Sequence, residues 1–237
     1  MVIVKRVGVF FDFDGTLSPL DVGRNEAGIR DELVKALKHI STKYLIAVAS
    51  SKDCYFLLNK APYFHSYICV NGLEILTDNY LLCDSSLTKK HLLNAMSYVK
   101  TLAMRLSGVD LEEKNSLTNI LIGLSIDWRR SNKIPNELNE IILIARNSGL
   151  NVIEYELNPF IDIYISDKNK GDAIKTLKSL LGLDRVIYLG DGENDIPAFK
   201  VSDQSVLVRH KYNTDLKVEV DYEVPYEKLH RWLFNEL

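Results

Sequence analysis

"VGVFFDFDGTLSPL", residues 7–20, runs from a short apolar stretch straight into two aspartates, Asp12 and Asp14, with Gly15 and Thr16 behind them. A run of Val and Phe without polar alternation predicts a strand buried on both faces. Such strands belong to parallel sheets covered by helices. Two carboxylates at the end of one strand repel and raise each other's pKa unless a cation lies among them. The stretch therefore predicts a fold and a chemical problem together.

Working outward, the chain alternates. "NEAGIRDELVKALKHI" (25–40) carries Ile29, Leu33, Leu37 and Ile40 at helical spacing behind a candidate cap, Asn25. "YLIAVAS" (44–50) and "SYICV" (66–70) predict strands, and "KDCYFLLNKA" (52–61) a short helix between them. The pattern then changes. "LEILTDNYLLCD" (73–84) predicts a hairpin, followed by a helix with Leu92, Met96, Val99, Ala103 and Leu106 on one stripe. "GVDLEEK" (108–114), "LTNILIGLSID" (117–127), "NVIEYEL" (151–157) and "FIDIYIS" (160–166) predict strands, with a helix from Pro135 between the second and third. From "KGDAIKTLKSLLG" (170–182) onward, helix and strand alternate again, and Pro225 opens a predicted final helix. The expected fold is α/β: a Rossmann-like parallel-sheet core at 1–72 and 166–237, interrupted by an inserted α+β domain at 73–165.

The 237 residues carry a net charge of −3, which gives no global reason to expect nucleic acid or an anionic membrane as partner. No stretch is apolar for long enough to span a bilayer. "MVIVKRVGVFF" (1–11) has the apolar character of a signal peptide. Lys5 and Arg6 split it and Asp12 ends it, so it reads as a first strand. Cys54, Cys69 and Cys83 have no metal-ligand spacing and read as buried, reduced thiols, which with the missing leader implies a cytoplasmic protein.

In an open parallel sheet the ligand crevice lies beyond the carboxyl ends of the strands. Asp12 and Asp14, then Ser50, then Asp191 with Asn194 and Asp195 all follow predicted strands, and Lys170 stands at a helix start. Carboxylates with few other ligands suit Mg²⁺, while a hydroxyl, a lysine and free helix N–H groups suit a phosphate. A carboxylate can attack phosphorus, and a second can move the proton. The set predicts phosphoryl transfer, where neutralising charge is most of the catalysis.

With these residues in place, the chain resembles the haloacid dehalogenase superfamily of phosphohydrolases. "DFDGTL" (12–17), "IAVASS" (46–51), "NKGDAI" (169–174) and "GDGENDIPAF" (190–199) match its four motifs in order, and the insertion falls where that superfamily places its larger cap. The resemblance implies a nucleophile and Mg²⁺ ligand at Asp12 and a general acid/base at Asp14, which also ligates through its carbonyl. It implies phosphate contacts from Ser50, Gly15, Thr16, Asn194 and the Phe13 backbone, and charge-holding by Lys170. It places direct metal ligation at Asp191 and water-mediated support at Asp195.

The insertion resembles the caps of sugar-phosphate phosphatases. "DGTLSPL", "NGLEI" (71–75), "EEK" (112–114) and "NKGDAI" point toward trehalose-6-phosphate phosphatases, whereas "IGLSIDWRR" (122–130) and "GDGEND" depart from them. The latter form resembles broad-specificity sugar phosphatases, or phosphatases of phosphoglycolate, sucrose phosphate and mannosyl-phosphoglycerate. The expected partner is a small-molecule phosphate ester, with oligomeric state left open. Specificity candidates are Lys52, Glu113, Lys114, Trp128, Arg129 and Arg130. "RHKY" (209–212) reads as a loop, and none of the five histidines is assigned a role. A phosphomannomutase-type mutase is the nearest enzymatic rival. A phosphate-sensing domain without catalysis is the rival of another class; it would be expected to lack Asp12, Asp14 or Asp191.

Overall fold

The computed structural model describes residues 6–237; Met1–Lys5, the start of the run read as a first strand, lie outside the described residues. In chain order the elements are β1 (Val7–Phe11), α1 (Asp31–Ile40), β2 (Leu45–Ala49), α2 (Cys54–Lys60), β3 (Ser66–Cys69), β4 (Glu74–Thr77) and β5 (Leu81–Cys83). Next come α3 (Lys90–Ala103), β6 (Asp110–Asn115), β7 (Leu121–Asp127), α4 (Leu138–Asn147), β8 (Asn151–Glu154) and β9 (Phe160–Tyr164). The chain closes with α5 (Lys170–Leu180), β10 (Arg185–Gly190), α6 (Ile196–Val201), β11 (Gln204–Arg209), β12 (Tyr222–Pro225) and α7 (Leu229–Glu236). Two compact units result, one from residues up to Leu82 with Asn169–Leu237, the other Cys83–Lys168.

The first unit holds one sheet in the order β12-β11-β10-β1-β2-β3-β4-β5. The pairs from β12 to β3 are parallel, and β4 returns antiparallel to β3. Strand alternation sends Phe10, Ala47, Tyr188 and Leu207 to one face, where Ala173, Ile174 and Leu177 of α5 and Phe199 of α6 cover them. Helices α1 and α7 pack together. The hairpin β4–β5, expected in the insertion, instead extends this sheet: Cys69 faces Glu74, and Ile75 is buried with Ile68 in the core.

Three further expectations are corrected. Helix α1 starts at Asp31 with Arg30 at its N-cap, not at Asn25. Gly28, a poor helix former, lies between them, and its N–H donates to Ser18 Oγ (3.1 Å) instead of to a helical carbonyl. Pro225 both ends β12, an edge strand, and caps the 3₁₀ turn Tyr226–Lys228, so the closing helical run starts as a 3₁₀ turn and becomes α-helical only at Leu229. Finally, Cys54 and Cys69 form a disulfide and Cys83 is exposed, so the reading of all three as buried, reduced thiols falls. The first turn of α2 and the end of β3 put the two Cα atoms 5.2 Å apart.

Their separation of 15 residues corresponds to about 3 kcal/mol of loop-closure stabilisation in the chain-entropy picture. A Cys54→Ala/Cys69→Ala variant is therefore expected to unfold in urea with about 2–4 kcal/mol less stability. Equal unfolding curves for the variant and the oxidised parent would show that the bond contributes nothing.

The second unit is a four-stranded antiparallel sheet, β6-β7-β9-β8. Ile122, Leu124, Ile126, Ile161 and Ile163 alternate along β7 and β9 and are buried. Helix α3 packs on β7 and α4 on β8, through Leu92, Met96 and Val99 and through Leu138, Ile141 and Ala145. No helix among the described residues is long and apolar enough to cross a membrane.

Candidate active site

The register of the first sheet assembles the acidic residues. Phe11 faces Val48 on β2 and Leu189 on β10. The strands after β1 run off to one side and those from β10 onward to the other, which makes the β1/β10 boundary a topological switch point. Asp12, Ser50 and Asp191 each follow the last residue of their strand, so all three leave the sheet at one edge. The Asp12 N–H donates to the Leu189 carbonyl (2.8 Å), which carries the sheet one residue into the site.

Lys170, the first residue of α5, has no solvent exposure. Its Nζ lies 2.8 Å from Asp12 Oδ1 and 2.6 Å from Asp195 Oδ1. Tyr188 also donates its hydroxyl to Asp195 Oδ1 (2.6 Å), while the N–H groups of Asp191 and Gly192 donate to Oδ2 (2.9 Å each). Both oxygens of Asp195 are thus occupied. Asp191 accepts from the Thr16 hydroxyl at Oδ1 (3.2 Å), and His210 Nε2 lies 2.9 Å from Oδ2. Gly15 has φ +76°, and a Cβ there would stand 2.2 Å from Asp191 Oδ2, so this wall tolerates no side chain.

Burial first and the neighbouring Asp195 second hold the Asp12 and Asp191 carboxyls well above the usual carboxylate range despite Lys170, with Asp191 adding to the rise at Asp12 and Asp14 to that at Asp191. Burial pulls the Lys170 ammonium down, but Asp12 and Asp195 outweigh it and raise it above its ordinary value. One ammonium faces carboxylates from Asp12, Asp191 and Asp195, whose oxygens approach within 4.8 Å of one another. That excess of negative charge, offered by hard oxygen donors, fits a divalent cation such as Mg²⁺. Asp12 and Asp191 retain free lone pairs to hold it directly, whereas the saturated Asp195 suits an outer position.

Ser50 is buried, and its Oγ accepts the Lys52 N–H (3.2 Å). Lys52 Nζ in turn lies 3.3 Å from Asp14 Oδ2. Asn194 is half-buried in the turn Glu193–Asp195.

The insertion candidates separate. Lys114 is buried, with Nζ 3.5 Å from Asp162 Oδ1. Asp162 also accepts from Ser125 at Oδ1 and from the Tyr155 hydroxyl at Oδ2 (2.8 Å). Ser125 faces both Glu112 and Asp162 across the strands, and Gly123 faces Lys114 and Tyr164. By alternation this polar set lies on the sheet face opposite the buried isoleucines. A Cβ at Gly123 would press within 2.8 Å of the Tyr164 ring. Glu113, one residue from Lys114, points to the other face and pairs with Lys100 of α3 (2.6 Å). Arg129 pairs with Asp127 (3.2 Å) and lies over the Phe160 ring, while Arg130 is solvent-exposed beside Asp110.

Sequence reasoning missed Asp162, Tyr188, His210 and Asn213. The signal for Asp162 was present in "FIDIYIS", where one carboxylate interrupts an apolar strand on the face its isoleucines do not use. Nothing in the spacing of His210 points to Asp191.

A family model described as haloacid dehalogenase-like hydrolase matches residues 107–224. A probable trehalose-phosphate phosphatase of Oryza sativa subsp. japonica is 27% identical over 83% of this chain; the chain spans 58% of that relative's length. Among solved structures, a trehalose-6-phosphate phosphatase related protein superposes with TM-score 0.74 at 15% identity, covering 96% of this chain and 95% of the other. A HAD subclass IIB sugar phosphatase superposes with TM-score 0.65 at 17% identity, covering 94% and 95%.

Proposed function

Given that this chain is haloacid dehalogenase-like in sequence and fold, we propose that it is a Mg²⁺-dependent phosphomonoester hydrolase acting on a small organic phosphate, most readily a sugar phosphate. The observation that carries this reading is the buried group of Asp12, Lys170, Asp191 and Asp195 at the switch point of the sheet, beside the hydroxyls of Thr16 and Ser50. In a static protein this much buried negative charge is costly. It is useful where a cation and a phosphate take turns neutralising it.

In the proposed reaction an Asp12 carboxylate oxygen attacks phosphorus, and the ester P–O bond breaks. The leaving oxygen takes a proton from Asp14, which leaves an aspartyl-phosphate on Asp12. Asp14 then accepts a proton from water as the water oxygen attacks the same phosphorus. The acyl-phosphate bond breaks, Asp12 is restored and inorganic phosphate leaves. Lys170 holds Asp12 in place throughout, and Ser50 and Thr16 supply donors to the phosphoryl oxygens. Asp12 and Asp191 would hold the Mg²⁺ ion, which would supply neutralisation of the negative charge gathered in the site.

Selection among esters is assigned to the second unit. The sheet face opposite its buried isoleucines carries a cation, a carboxylate and hydroxyls from Lys114, Asp162, Ser125 and Tyr155, donors and acceptors of the kind that read a polyol. The names of the relatives, trehalose-phosphate and sugar phosphatases, support the same substrate class.

The test is release of inorganic phosphate from p-nitrophenyl phosphate, trehalose 6-phosphate, hexose phosphates, phosphoglycolate and nucleotides, with Mg²⁺ or with EDTA. Mg²⁺-dependent release is expected, with kcat/KM highest for a sugar phosphate. Isomerised hexose phosphate without release would assign a mutase. No turnover of any ester would leave a phosphate-sensing domain.

A further inference from the structure

We infer that His210 and Asn213 form a clamp that positions the Asp191 carboxylate for divalent-metal binding, an inference that rests on the proposed role of Asp191 as a ligand. The loop after β11 delivers both residues. Asn213 is buried, and its Nδ2 donates to the Asp191 carbonyl and to the Val208 carbonyl, each at 2.8 Å. Its Oδ1 accepts the His210 N–H (2.9 Å). One amide thus ties the end of β11, the turn and the Asp191 backbone together.

The imidazole completes the clamp. His210 Nδ1 accepts the Tyr212 N–H (3.2 Å), so Nδ1 carries the lone pair and Nε2 the hydrogen. Nε2–H then donates to Asp191 Oδ2 at 2.9 Å. Thr16 donates to Oδ1, so each carboxylate oxygen has one fixed donor and the carboxylate plane cannot turn. Gly15 closes the remaining side. The lone pairs left over are those free to face Asp12. A metal-ligating carboxylate gains affinity from such fixed donors, because its orientation is set before the ion arrives.

The same imidazole lines a cavity of about 240 Å³ with Gly15, Leu20, Tyr212 and Tyr226. Removing the ring would open Asp191 Oδ2 to water from that cavity, which can donate a hydrogen bond but fixes no direction. His210 is therefore a positioning residue that acts through Asp191.

The test uses the full chain and the metal alone. Mn²⁺ binding is followed by the electron paramagnetic resonance of the free ion, with Mg²⁺ measured by competition. His210→Phe fills the space without a donor and is expected to raise the Kd about 10–100-fold, whereas His210→Gln, which keeps an N–H donor, should stay within about threefold of the parent. Parent-like binding by His210→Phe, or equal losses in both variants, would overturn the clamp. Asp191→Asn separates the two levels: parent-like binding there would overturn Asp191 as a ligand, while lost binding there with unchanged His210→Phe overturns the clamp alone.

Discussion

Asp12→Asn is expected to abolish phosphate release, by on the order of 10⁴-fold or more, while leaving the fold intact. An amide cannot serve as the attacking carboxylate, and no neighbouring group can replace it. Asp195 has both oxygens committed to Lys170, Tyr188 and two backbone N–H groups. Asp191 is held by Thr16 and His210. The expected stability is the more discriminating readout. Burial and the neighbouring aspartates raise the Asp12 pKa above its unfolded value. The folded state therefore binds the proton more tightly than the unfolded chain. The ionised carboxylate weighs against folding increasingly as pH rises through and above the ordinary range near 4. Asn removes that charge. Without divalent metal the variant should match or exceed the parent's stability at neutral pH, and should gain less on Mg²⁺ addition. Thermal unfolding with Mg²⁺ and with EDTA checks this, alongside the phosphate assay. Near-parent turnover would remove Asp12 from the role of nucleophile. A large loss of metal-free stability would mark it as a structural partner of Lys170.

The candidate site is partly legible in the sequence, and the division has a physical cause. Asp12, Ser50 and Asp191 each follow an apolar strand directly, and in a parallel sheet a residue just past a strand end has only one place to go. Lys170 is legible because a helix start at the same edge is equally constrained. His210 and Asn213 lie in a loop whose path depends on the turn after β11 and on the edge strand β12. That strand is only four residues long and is hidden by Glu223 and by Pro225, so no periodicity reaches the loop. The hairpin β4–β5 was open to assignment to either sheet, since a two-residue turn specifies the pairing within a hairpin but not the strand it adds to. Ile75 packing on Ile68 decides it. The disulfide is hidden for a similar reason: Cys54 and Cys69 are brought together by the packing of α2 on β3, and their spacing alone carries no such information.

Lys170→Met should combine loss of turnover with a large loss of stability, about 3–5 kcal/mol, because it strips the cation from buried carboxylates. The side chains of Lys170 and Asp195 have no exposure, and that of Asp12 has only 6%. Water cannot replace the ammonium without opening the core around Tyr188 and α5. Methionine keeps most of the volume, so the loss would report charge and not a cavity. A partner substitution separates these effects. Asp195→Asn alone disturbs an acceptor shared by Lys170, Tyr188 and two backbone N–H groups and should itself destabilise. In Lys170→Met/Asp195→Asn, however, one of the stranded charges is gone. The double variant should be more stable than the sum of the single losses predicts, with a coupling of roughly 1–3 kcal/mol in urea unfolding at neutral pH. Strict additivity would mean that Lys170 contributes by packing alone. Activity should remain absent in both lysine variants whatever stability returns, because the cation that neutralises Asp12 during phosphoryl transfer is missing in each. A double variant that is both refolded and active would separate the lysine from the chemistry.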